Sequence, residues 1–120
     1  MGAIKSFREI RVWQKAHDLA LEVYRLTGHF PSEEKFGLVS QSRRAVVSIA
    51  SNIAEGFKKN SKKESCNFYN ISEGSLEELK YQILLAKDLG YLTFVEYNQL
   101  MSDCDEVGKM LHGWIESQRH

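Results

Sequence analysis

Apolar residues recur along most of this chain in alternating steps of four and three, the spacing that keeps side chains on one face of a helix. Val12, Ala16, Leu19, Val23 and Leu26 form the first such row. Leu38, Ala45 and Ile49 form a second, with Ser42 and Asn52 in the same register, and Leu76, Leu79, Ile83 and Ala86 form a third. Phe94, Tyr97, Met101, Cys104, Leu111 and Ile115 form the fourth. No alternating strand pattern, internal repeat or low-complexity linker competes with these rows.

Helix start and stop signals divide the chain in the same way. Ser6 with Glu9, Ser61 with Glu64, and Thr93 with Glu96 have the spacing of a capping box, in which a hydroxyl and a carboxylate satisfy orphan backbone donors reciprocally. Gly28 is placed to end the first helix in the left-handed conformation, with Pro31 beyond it, and Gly56 and Gly90 mark two later ends. The pattern predicts helices near 7–27, 34–58, 62–89 and 94–118. Four long helices joined by short connections predict an all-α, antiparallel up-down-up-down four-helix bundle, with residues 1–120 as a single domain.

The first, second and fourth helices carry apolar residues beyond their first rows. Trp13, Ala20 and Tyr24, then Val39, Val46, Ile53 and Phe57, then Leu100, Val107 and Trp114 form second stripes. Left in water, such stripes mark an interface, which predicts a homo-oligomer. The competing reading is that helix rotation tucks both stripes into one wide core.

Composition adds mainly exclusions. With 16 basic and 16 acidic side chains the formal charge is zero, so attraction to a polyanion has to be local. Cys66 and Cys104 stand far apart and read as free thiols of a reducing compartment. The first six residues have no signal-peptide core, and no segment approaches the roughly 18 apolar residues of a membrane span. The expected location is cytoplasmic, with no membrane partner.

The strongest local charge is Lys58, Lys59, Lys62 and Lys63, gathered around one interhelical turn beside the start of the third helix. Cations and free backbone donors both stabilise phosphate there, so these four are nucleic-acid-binding candidates. Arg8, Arg11 and Lys15 make the next basic cluster. Arg43 and Arg44 are further nucleic-acid candidates, although a structural ion pair is the preferred role for at least one of them, with Glu78 as partner. Ser48, Asn52 and Glu55 share one helix face at spacings of four and three. With Ser75 and Glu78 they are read as a polar network that selects helix register. No histidine follows a glutamate by three, as the Glu-x-x-His pairs of a di-iron bundle require, and the cysteines lack zinc-site spacing, so no metal or other cofactor is expected. No phosphate-cradling glycine loop, nucleophile elbow or triad is visible, so no catalytic residue is assigned. Trp13 and Trp114 read as packing residues rather than base-stacking ones.

Taken together, several segments resemble one family. They are Phe7 through Ala16, the Phe30-Pro31 and Glu34-Lys35-Phe36-Gly37-Leu38 hinge, Ser48 to Phe57, and Gly74-Ser75-Leu76-Glu77-Glu78-Leu79. Their order and spacing, over nearly the whole chain, are similar to the bacterial 23S rRNA intervening-sequence proteins. The resemblance implies a pentameric ring of four-helix bundles and a link to RNA. The chain is also similar to the accessory proteins of diversity-generating retroelements, basic pentamers that bind nucleic acid and partner a reverse transcriptase. These expectations favour a non-enzymatic oligomeric scaffold that associates with RNA or with a nucleic-acid-processing protein. The alternative is an assembly module that binds only proteins.

Overall fold

Four α-helices carry the fold: α1 (Arg11–Thr27), α2 (Ser40–Phe57), α3 (Lys62–Asp88) and α4 (Phe94–Arg119). The computed structural model describes residues 3–119, and there is no strand among them. Contacts between neighbouring helices show their directions. Ser48 meets Ser75, Ile49 meets Ser72 and Gly56 meets Tyr69, so the contacts run down α3 as they run up α2. Tyr69 with Trp114, Leu76 with Gly108, and Lys80 with Asp105 repeat the reversal between α3 and α4. Val12 shares a groove with Trp114, and Lys15 pairs with Glu106, so α1 likewise runs opposite to α4 and each helix is antiparallel to the next.

The helix starts differ from the sequence expectation in two places. The Ser6–Glu9 capping box forms, but it caps a single 3-10 turn, Phe7–Glu9. Ile10 then turns extended, and α1 begins only at Arg11. Before α2, Lys35–Val39 form a wider π-type turn in which Gly37 leaves helical geometry at φ −108° and ψ −112°. The Glu34 carboxylate holds that turn by accepting from the Leu38 amide at 3.1 Å and from the Tyr91 hydroxyl at 2.9 Å. The other two boxes do start helices: Ser61 Oγ accepts from the Glu64 amide, and Thr93 and Glu96 bond reciprocally. Gly28 ends α1 at φ −62°, in the right-handed region, so the left-handed cap expected there is absent. Gly90 does adopt the left-handed conformation, at φ +85°.

The first apolar rows are buried largely as predicted, from Val12 to Leu26 on α1 and from Leu76 to Ala86 on α3. The second stripes are not left outside. Val46, Ile53, Leu100 and Val107 are between 0% and 3% exposed, and Trp13, Ala20, Phe57 and Trp114 pack partly against the same core. Rotation of α2 and α4 centres each buried face between two rows, giving one wide core. Most of the stripe residues are therefore spent on the core, and Tyr24, at 44% exposed, is the exception. Phe94, predicted for the core row of α4, is 71% exposed because it precedes the first buried position of that helix, Leu100.

Candidate nucleic-acid interface

The turn Lys58–Ser61 joins α2 to α3, and Lys62 and Lys63 are the first two residues of α3. All four candidate lysines are exposed, and the Lys59 ammonium lies 4.8 Å from the Phe68 ring centre. The Ser61 cap leaves the first amides of α3 beside these cations. Because the helices alternate in direction, the start of α1 reaches this same end and brings exposed Arg8 and Arg11. Nearby carboxylates are partly committed: Glu9 accepts from the Lys5 and Ser6 amides, and Glu64 bonds Ser61. Lys15, further along α1, is paired with Glu106 at 3.0 Å.

Arg43 and Arg44 do not join this group. They lie near the other end of α2, Arg44 fourteen residues before Lys58, which is about 21 Å along a helix. Arg43 is structural, but its partner is α1 rather than Glu78. Its guanidinium donates to Thr27 Oγ1 at 3.0 Å and to the Tyr24 carbonyl at 3.2 Å, and lies 4.5 Å from the Tyr24 ring centre. Five residues of helix turn Arg43 to the flank of α2 opposite Ser48, and the last turn of α1 offers acceptors at the negative end of its dipole. Glu78 stays exposed on α3, and Arg44 is exposed beside Lys35, Phe36 and Val47.

The polar line on α2 forms a smaller network than expected. Asn52 Nδ2 donates to the Ser48 carbonyl at 2.8 Å and to Ser48 Oγ at 3.0 Å, and Ser48 Oγ shares a hydrogen bond of 2.7 Å with Ser75 Oγ. Glu55 remains exposed outside it, as does Glu78. Sequence reasoning missed Ser72, whose buried hydroxyl donates to the Ile49 carbonyl at 2.8 Å. Its position in the register of Leu76 and Leu79 was the available signal.

The remaining reactive groups are quiet. Cys66 and Cys104 are free thiols, and burial is the main cause that pushes Cys104 from the usual value near 9 up to about 12. It therefore stays protonated at neutral pH and is a poor nucleophile. Among the described residues no group of three or more His, Cys, Asp or Glu side chains is placed to hold a metal. A groove of about 820 Å³ between α3 and α4 mixes both signs of charge, and within it Lys80 bridges Glu77 at 3.5 Å and Asp105 at 3.2 Å. No described helix is long and apolar enough to cross a membrane.

These features define an antiparallel helical bundle with a lysine-rich turn at one end. A family model described as 23S rRNA-intervening sequence protein matches residues 8–113, and the chain belongs to that family. It is similar to a solved structure from Bacteroides thetaiotaomicron VPI-5482, a protein with unknown function from the S23 ribosomal protein family. The two are 27% identical, the match covers 88% of this chain and 95% of that one, and the TM-score is 0.81. No curated protein matches the chain. Neither description names a catalytic activity.

Proposed function

We propose that this protein is a cytoplasmic, non-enzymatic scaffold, a homo-oligomer with the pentameric stoichiometry its family resemblance implies, that binds RNA through the Lys58–Lys63 end of the bundle. The carrying observation is the convergence of four exposed lysines with the first amides of α3. Phosphate is stabilised there by charge and by oriented backbone donors together. A chain of zero net charge has no general attraction for polyanions, so a local patch has to supply it. In a ring, copies of a weak site on one face act together and raise the apparent affinity. The family's description refers to 23S rRNA, which favours RNA as the polyanion. Exposed Ile71, Tyr81 and Phe94 favour the second reading, a module that assembles with proteins alone.

The test replaces Lys58, Lys59, Lys62 and Lys63 with glutamine and measures filter binding of a structured RNA across a salt series. Affinity is expected to fall about tenfold or more at low salt, with a shallower salt dependence, because each lost phosphate contact removes nearly one released counterion. Helix content is expected to be unchanged, since all four side chains are solvated. Absence of wild-type binding at low salt would establish the protein-only module instead. Binding unchanged in the quadruple variant would move the site to Arg8 and Arg11 or to Arg44.

A further inference from the structure

We infer that the groove between α1 and the start of α2 receives the acidic groove between α1 and α4 of a second copy, forming a head-to-tail contact centred on Arg44 and Asp18. The inference rests on the oligomeric part of the proposed function and identifies the surfaces that build the oligomer. The first groove, about 460 Å³, is lined by Tyr24, Lys35, Phe36, Arg43, Arg44 and Val47 among others, with no acidic residue. Phe36 is 87% exposed, and Tyr24 and Val47 are more than 40% exposed. A largely bare aromatic ring among three cations is a poor surface to leave in water.

The presentation of Phe36 is built into the backbone. The π-type turn places it, the Glu34 carboxylate fixes the turn from two sides, and a Cβ at Gly37 would come within 2.7 Å of Glu34 Oε1. Such a departure from regular helix, held by specific bonds, is often kept for a surface that is used.

The complementary surface is on the same chain. A groove of about 230 Å³ between α1 and α4 is lined by Asp18, Glu22, Asp103 and Glu106, with Lys15 as its cation. Glu22 is held by Arg25, Glu106 by Lys15, and Asp103 by Gln99. Asp18 is exposed and has no bond partner among the described residues, which leaves its charge for an incoming guanidinium. Apolar surface lies close by: Leu21 is 59% exposed, and Val95, in the α4 stripe of Gln99, Asp103 and Glu106, is 77% exposed.

Phosphate would match the cations of the first groove but leave Phe36, Val39 and Val47 against a charged backbone. A second copy matches both the charge and the apolar area. Two different patches in contact make a heterologous interface. The grooves flank α1 on adjacent sides of the bundle, Tyr24 lining one and Asp18 and Glu22 the other. Each contact therefore turns the next subunit, and a heterologous contact of this kind gives a ring where the rotation closes.

The experiment follows subunit number by native mass spectrometry over a dilution series, with circular dichroism as the check on folding. Arg44→Glu and Asp18→Arg are each expected to raise the concentration at which half the assembly dissociates tenfold or more. The double variant R44E/D18R is expected to return it toward wild type, and Phe36→Ala to raise it without loss of helix. A wild-type species of 13.8 kDa at micromolar concentration would overturn the oligomeric reading itself and this contact with it. A wild-type oligomer that survives both charge reversals overturns only the contact. So does an Arg44→Glu protein that stays assembled but loses RNA binding, which would give the groove to nucleic acid. Single variants that dissociate without rescue by the double would overturn the pairing of Arg44 with Asp18.

Discussion

Gly56→Leu is expected to destabilise the bundle by about 3 kcal/mol, near the upper end of what forced overpacking costs. A Cβ at position 56 would stand 2.5 Å and 2.9 Å from two carbons of the Tyr69 ring and 3.0 Å from the Ser65 carbonyl oxygen. The ring cannot step aside, because Tyr69 is 1% exposed and meets Trp114 edge-on at 6.1 Å. Glycine inside a helix normally costs about 1 kcal/mol relative to alanine, so the sequence keeps it here against local propensity. Only a side chain of one hydrogen lets α2 and α3 approach this closely. Gly74→Ala is the control, since nothing lies within 4 Å of a Cβ there. It is expected to stabilise by about 0.5–1 kcal/mol. Urea unfolding of the two variants measures both effects, and a Gly56→Leu protein that unfolds with the wild-type midpoint would contradict the packing described.

The second large effect is expected from Leu79→Ala, at about 3 kcal/mol, against less than about 0.5 kcal/mol for Leu84→Ala on the same helix. Leu79 is 0% exposed at the centre of the core, whereas Leu84 is 38% exposed. Truncating Leu79 removes its transfer energy and leaves a cavity that four packed helices cannot fill. Truncating Leu84 opens no cavity. Thermal unfolding separates the two, with a loss of roughly 12 °C expected for Leu79→Ala. Equal losses would mean that the face of α3 turned to the core has been assigned wrongly.

The helices and their order were legible because caps and periodic rows act locally, and local signals survive in one dimension. Thr93 with Glu96 and Ser61 with Glu64 start their helices where the spacing says they do. The rotation of each helix was less legible. Val46, Ile53, Leu100 and Val107 read as a second stripe but share the core with the first, because the width of a buried face depends on all neighbouring helices at once. The same uncertainty of rotation offered Glu78 as partner to at least one of Arg43 and Arg44, when the flank of Arg43 faces the end of α1. The lysine turn was placed correctly since a turn between two recognised helices has only one location. Both grooves at the sides of α1 were invisible, as each is assembled from segments far apart in the chain.

The shortness of the Lys58–Ser61 connection also orders events in time. Bringing α2 against α3 closes a small loop and costs little chain entropy, while the contact of Lys15 with Glu106 has to gather most of the polypeptide. The α2–α3 hairpin, with its Ser72–Ile49 bond and its glycine seat for Tyr69, is accordingly the unit expected to form early and open last. Native-state amide exchange would show it as the slowest-exchanging pair, and equal protection across all four helices would instead mark the bundle as a single unit that opens all at once.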